Sequence, residues 1–298
     1  MTALHILAYA SVVVFVVAVA ARAIRLATTP VHLRWELYPV AHEKDRVRYG
    51  GSYFEEVDWW TKPRARSLFG ELKVMVPEIL FLKGVWEHNR ALWWWSFPMH
   101  IGLYLVIGFI ALVIVGAIAG TATPLGTLIG RVGPIVGWVG YILGVLGSVG
   151  IFVRRMVEHK LRSFTPPAAY FNLIFLIALF ASGVLVLGTV ERPFSALSEF
   201  VRGLFGAAGG AAAPSAITLH LIVGLLFTLY LPFTHMTHFF TKYFTYHQVR
   251  WNDEPNLPGS KLERQIEKQL GYPVSWSAPH IKGDGKKTWG DVATTEVE

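Results

Sequence analysis

Histidine is the residue type whose placement in this sequence best suits chemistry, because several histidines fall within or beside long uncharged segments. Ionisable side chains inside a membrane are energetically expensive, so each of these histidines is a candidate functional residue. A lone histidine near a span end is more often a packing or interface residue, whereas histidines paired at matched depth favour metal ligation. Two neutral imidazoles facing each other from neighbouring helices supply the axial ligands of six-coordinate haem iron. The candidates are His5, His100, His220, His235 and His238.

Composition excludes several other kinds of site. The chain has no cysteine, which excludes thiolate-held iron–sulfur or zinc sites, covalently attached c-type haem and disulfides within it. The net charge of +7 could indicate nucleic-acid binding, but the basic residues follow the pattern expected of a membrane protein. The other histidines lie in polar segments and are interpreted as ordinary surface or interface residues: His32, His42, His88, His159, His247 and His280.

The strongest predicted ligand pair is His100 with His238. His100 follows the Trp93–Trp95 run by five residues, about 8 Å of helix, and His238 precedes Lys242 by four residues, about 6 Å. Their spans run in opposite directions, so the two histidines are expected at similar depth on one side. Four cations on that side could pair with haem propionates: Arg90, Arg154, Arg155 and Lys242.

The elements that would position these residues are five apolar segments, each long enough to cross about 30 Å of hydrocarbon. The chain is 53% hydrophobic and only 16% charged, and its charges crowd between the segments. We therefore predict an all-α membrane protein, a bundle of five transmembrane helices. The predicted spans are 3–25, 97–119, 133–153, 168–190 and 216–240.

The distribution of Lys and Arg predicts the orientation of the bundle. Of the 27 basic residues, 24 lie in the segment from Arg22 to Arg90, the 154–167 loop and the tail after 240. The positive-inside rule places these segments in the cytoplasm and the N-terminus outside, in a multi-pass protein of the inner (cytoplasmic) membrane. The predicted organisation is a first helix, a cytoplasmic loop, a four-helix haem-binding region and a cytoplasmic tail: 1–26, 27–92, 93–240 and 241–298.

Two segments carry a resemblance to a known family. The runs HIGLYLVIGFI, from His100, and HLIVGLLFTLYLPFTHMTH, from His220, resemble the cytochrome b (gamma) subunit of respiratory nitrate reductase. They also resemble its relatives in heterodisulfide reductase and the sulfate-reducer transmembrane complexes. The resemblance implies a five-helix cytochrome with two b haems. In that family the fifth span carries two ligands eighteen residues apart, the second of them six residues after a Pro-Phe pair, as in His220, Pro232–Phe233 and His238.

The second span departs from the family pattern. The resemblance implies a second ligand at position 110, which is Ile110 here and cannot bind iron. Either the outer haem is absent and the chain binds one b haem, or another residue replaces this ligand and the chain binds two. His220 and His238, eighteen residues apart, would share one face of a continuous helix about 27 Å apart, which suits two stacked haems. His5 is the predicted replacement partner of His220. The alternatives are that His5 is an interfacial residue and that His220 is a remnant or hydrogen-bonds a quinone. His235 could replace His238, although the family spacing favours His238.

The predicted function is that of the cytochrome b subunit of a respiratory oxidoreductase complex, transferring electrons between the quinone (or menaquinone) pool and a cytoplasmic partner. The long loop and tail are more similar to the heterodisulfide-reductase-related branch, whose members pair with an iron–sulfur subunit. Since this chain lacks cysteine, such clusters must belong to the partner. The main alternative is a haem-free membrane anchor that docks a soluble redox enzyme. A transporter or proton channel is disfavoured, because repeats and buried carboxylates are missing from the sequence.

Overall fold

The computed structural model describes residues 2–29, 39–43, 51–120, 122–206, 213–278, 281 and 283–295. The protein is 77% helical, without a strand in this described part, and has five helices long and apolar enough to span a membrane. The predicted helical class and number of spans are therefore confirmed. His32 and His280, which were interpreted as surface residues, lie outside the described residues.

The candidate membrane-spanning helices have well-defined ends. They are α1 (Ala3–Thr28), α4 (Arg90–Ala119), α5 (Pro124–Val157), α7 (Pro167–Thr189) and α9 (Ser215–Tyr230), the last prolonged by a 3₁₀ turn over Leu231–Phe233. The side chain of Asn89 caps α4 by accepting a hydrogen bond from the amide of Leu92, and Thr123 caps α5 at the amide of Gly126. The Trp93–Trp95 run lies inside α4, so this helix begins earlier than the predicted 97–119 span.

The chain divides into two compact units, residues 1–18 with 75–234, and residues 19–74 with 235–298. In the first unit, α4 packs on α5 along a row of glycines. A Cβ atom added at Gly102 would lie 2.7 Å from the carbonyl oxygen of Gly140. Only glycine lets the two backbones approach this closely, as is typical of membrane helix pairs. Further along α5, a Cβ at Gly144 would overlap with the ring of Phe180 on α7.

A helix also precedes the fifth span, in a segment whose Gly- and Ala-rich composition favours a loop. Helix α8 (Pro193–Leu204) buries Phe194 and Leu197. The Phe194 ring packs against two glycines: a Cβ at Gly116 would lie 3.2 Å from the ring, and a Cβ at Gly133 would overlap with it. The helical spacing of these apolar residues was hidden by the composition of the surrounding segment.

The predicted continuous helix over 216–240 is wrong. Helix α9 ends at Tyr230, and Thr234 is extended (φ −109°, ψ 173°) before a second 3₁₀ turn over His235–Thr237. Pro232 lies in the first of these turns and weakens the helix there, because it has no N–H to donate and its ring clashes with the carbonyl four residues earlier. His220 and His238 therefore do not lie on one helix, and the 27 Å axial spacing does not apply.

The shorter helices complete the chain. They are α2 (Leu68–Phe81), α3 (Lys83–His88), α6 (His159–Ser163), α10 (His238–Phe244), α11 (Lys261–Leu270) and α12 (Trp289–Thr294). The side chain of Ser260 caps α11 by accepting a hydrogen bond from the amide of Glu263. Helix α2 buries none of its residues and exposes large apolar side chains such as Leu68 and Phe69.

Candidate functional site

His100 lies on α4 in the first unit and is half-buried. Its Nδ1 atom is 2.7 Å from the carbonyl oxygen of Ser96, one turn earlier. A carbonyl oxygen can only accept, so Nδ1 carries the proton and the ring lone pair lies on Nε2. This is the tautomer that an iron ligand needs, and a carbonyl partner on the second nitrogen is typical of metal-binding histidines.

His238 is the first residue of α10 and belongs to the second unit. Its Nδ1 atom is 3.4 Å from the carbonyl oxygen of His235, at the long end of hydrogen bonding. The geometry repeats that of His100, with Nδ1 directed at a backbone carbonyl three residues earlier and the lone pair on Nε2. The donor chemistry of both histidines therefore fits haem ligation. Their pairing joins two separate units and stays a prediction.

The four cations predicted to meet haem propionates have different surroundings. Arg90 is exposed, with its guanidinium 4.2 Å from the centroid of the Trp86 ring. Arg154 forms an ion pair with Glu158, one turn further along α5. Arg155 donates to the hydroxyl of Thr165, 3.1 Å away. Lys242 lies one turn after His238 on α10, in the second unit. Their assignment to propionates stays a prediction.

His5 lies on α1 and contacts α8. Its ring stacks on Phe200 with centroids 5.0 Å apart and planes 7° apart. Nδ1 is 2.7 Å from the hydroxyl of Thr2. The buried Nε2 atom has no hydrogen-bond partner among the described residues. That atom faces Gly203, where an added Cβ would lie 2.7 Å from it.

His220 lies on α9 and is enclosed by two hydroxyl groups. Its Nδ1 atom is 2.8 Å from Ser182 Oγ on α7, and its Nε2 atom is 2.9 Å from the hydroxyl of Tyr141 on α5. All three residues are buried. We call Tyr141, Ser182 and His220 the hydroxyl–imidazole triad. The structure thus places His5 against α8 and His220 between α5 and α7, and the predicted His5–His220 pair stays untested.

A second buried polar cluster, in the second unit, was missed by the sequence analysis. His42 is only 2% exposed, so its interpretation as a surface or interface residue is wrong. Its Nε2 atom is 3.2 Å from Asp253 Oδ2, and its Nδ1 atom is 3.8 Å from Glu71 Oε1. Glu71 also lies 3.4 Å from Nε2 of His247. His42 and Asp253 are 211 residues apart in sequence, and no local pattern could have paired them.

Two arginines, Arg64 and Arg66, also form ion pairs with Asp253. Arg64 Nη1 is 3.2 Å from the carboxylate, and Arg66 also donates to it. Burial raises the pKa of Asp253, but the hydrogen bond from His42 and the charges of Arg66 and Arg64 outweigh it, so the pKa falls below its ordinary value. Within the described ranges, no group of three or more His, Cys, Asp or Glu residues is arranged to hold a metal ion.

A scan against known protein families gives no match for the chain, and a search of curated proteins gives none either. The fold and the apolar helices define the class of the chain as an all-α, multi-pass membrane protein.

Proposed function

We propose that this chain is a membrane cytochrome b subunit that transfers electrons between the quinone pool and a cytoplasmic iron–sulfur subunit. One observation carries the proposal. His100 and His238, selected from sequence as a ligand pair, both direct Nδ1 at a backbone carbonyl and so hold the lone pair on Nε2. A bound b-type haem would supply one-electron redox chemistry.

The protein groups around these histidines would tune such a centre. The carbonyls of Ser96 and His235 fix the orientation of each imidazole and raise its basicity. Arg90 lies over the Trp86 ring and Arg155 donates to the neutral Thr165 hydroxyl, so neither would have to leave a carboxylate in the described part of the chain to pair with a propionate. Arg154 would first have to leave Glu158.

The membrane orientation belongs to the same proposal. The N-terminus lies outside and the tail lies in the cytoplasm, because 24 of the 27 Lys and Arg residues then fall on the cytoplasmic side of the inner membrane. The iron–sulfur subunit would dock on the cytoplasmic loop 27–90 and the tail 241–298. Quinone or menaquinone is the electron-carrying substrate, and the clusters belong to the partner because this chain lacks cysteine.

A haem-free anchor for a soluble redox enzyme is the second candidate. The specific observation in its favour is the ion-pair cluster around Asp253, which links the tail to His42, Arg64 and Arg66 of the long loop. Such links build a folded extramembrane unit on which an enzyme could dock without any haem in the chain.

Optical spectra of purified protein test the proposal. The wild type should contain haem with a low-spin b-type spectrum, and His100→Ala or His238→Ala should each lose that spectrum. His159→Ala is the matched control, since this histidine is exposed on the short helix α6. Haem that persists with unchanged spectra in both ligand variants would overturn the assignment. Wild-type protein without haem would favour the anchor.

A further inference from the structure

The proton positions in the hydroxyl–imidazole triad follow from its hydrogen bonds. Ser182 Oγ donates its one proton to the carbonyl oxygen of Leu179, 2.9 Å away. It must therefore accept a hydrogen bond from His220, which puts the imidazole proton on Nδ1. The Nε2 lone pair of His220 then accepts the hydroxyl proton of Tyr141. Both ring nitrogens are engaged.

An iron atom and the Tyr141 hydroxyl would compete for one position. Metal–imidazole bonds are about 2 Å long, whereas the Tyr141 oxygen stands 2.9 Å from Nε2 on the lone-pair side. Tyr141 has little room to move, because a Cβ at Gly183 would overlap with its ring and Phe109 packs edge-on at 5.9 Å. Haem ligation by His220 therefore does not fit this packing.

The opposite ligand is also missing from the two places where it was expected. Ile110, at the position that the resemblance assigns to the partner histidine, is 50% exposed and so does not face the packed interior. His5 directs Nε2 at Gly203 on α8. The His5 ring is thus packed on α8, and Ile110 has no atom that could ligate iron.

We infer that the chain binds one haem and that His220 acts instead as a buried hydrogen-bond hub joining α5, α7 and α9. The haem count rests on the proposed function, whereas the hub rests only on the contacts of the triad. With a single haem held by His100 and His238, the quinone would exchange electrons on the side of the membrane where that haem lies.

Haem stoichiometry and thermal unfolding of the purified full chain together test the inference. We expect one haem per wild-type chain, and the same count and spectrum in His220→Ala. Tyr141→Phe and Ser182→Ala should each keep the haem and lower the melting temperature, because each leaves a buried nitrogen of His220 without its partner. Ser148→Ala is the matched control, since the buried Ser148 Oγ has no hydrogen-bond partner among the described residues. Its melting temperature should not fall.

The outcomes separate the inference from the proposed function. Two haems in the wild type, one of them lost in His220→Ala, would overturn the inference and leave the cytochrome assignment standing. A wild type without haem would overturn both the assignment and the count of one. If His220→Ala fails to fold, the haem count of the wild type and the melting temperature of Tyr141→Phe test the inference instead. Equal melting temperatures for the Ser182→Ala and Ser148→Ala variants would refute the hub.

Discussion

Replacing Asp253 by Asn should destabilise the second unit by removing a buried charge. The Asp253 side chain is only 3% exposed, and its Oδ2 atom accepts from His42 and Arg64, each at 3.2 Å. The uncharged amide cannot accept from all these donors, and one of its own N–H groups must face them. Hydrogen bonds to charged groups contribute roughly 1.5–3 kcal/mol each. The Arg66 side chain is 55% exposed, so solvent screening reduces the contribution of its ion pair with Asp253 to stability.

We therefore expect Asp253→Asn to lower the free energy of unfolding of this unit by about 3 kcal/mol, mostly through His42 and Arg64. The lowered pKa of Asp253 also fixes the pH dependence. The stabilisation is complete above the ordinary aspartate pKa, about 4, and is lost as the pH falls through the lower folded-state pKa. The wild type should lose the stabilisation by the Asp253 carboxylate in acid, and Asp253→Asn should lack that stabilisation at every pH.

The assay is hydrogen exchange of the peptide that contains Tyr246 and Trp251, two buried aromatic residues with ring centroids 4.7 Å apart. Exchange there should be faster in Asp253→Asn at neutral pH. Glu254→Gln removes the same charge from the neighbouring exposed position and should leave exchange unchanged. Equal exchange rates in the wild type and Asp253→Asn would refute the energetic role of the cluster.

Two further predictions concern the spans. Gly102→Ala should push α4 from α5 and lower the melting temperature, because its Cβ would lie 2.7 Å from the Gly140 carbonyl oxygen; an unchanged melting temperature would contradict this packing. Gly108→Ala, with nothing within 4 Å of its Cβ, is the control on the same helix and should leave the melting temperature equal or higher. A reporter fused after Glu298 should be active only in the cytoplasm, and activity confined to the outer side would defeat the orientation.

The number of spans could be predicted from the sequence because an uncharged run long enough to cross a bilayer has few other structures available. The interruption of the fifth span could also be predicted from the sequence, since the span contains Pro232 and proline removes a helical hydrogen bond. It was overlooked because the apolar composition continues through the break. Helix α8 is hard to predict because it adjoins a Gly- and Ala-rich segment that resembles a loop.

The polar clusters could not be predicted in the same way. Tyr141, Ser182 and His220 come from three helices, and their meeting depends on the glycines that set how closely α5 and α7 approach. His42 meets Asp253 across 211 residues of chain. The sequence identifies which residues can ionise or donate protons, but tertiary packing decides which of them share a hydrogen bond.

The central claim is that His100 and His238 together ligate a b-type haem. Electron paramagnetic resonance of the oxidised, purified wild-type protein tests it most directly, because this method distinguishes iron with two imidazole ligands from iron with one or none. We predict a low-spin ferric signal of the bis-imidazole type. A preparation that shows only high-spin haem, or no haem signal at all, would contradict the claim.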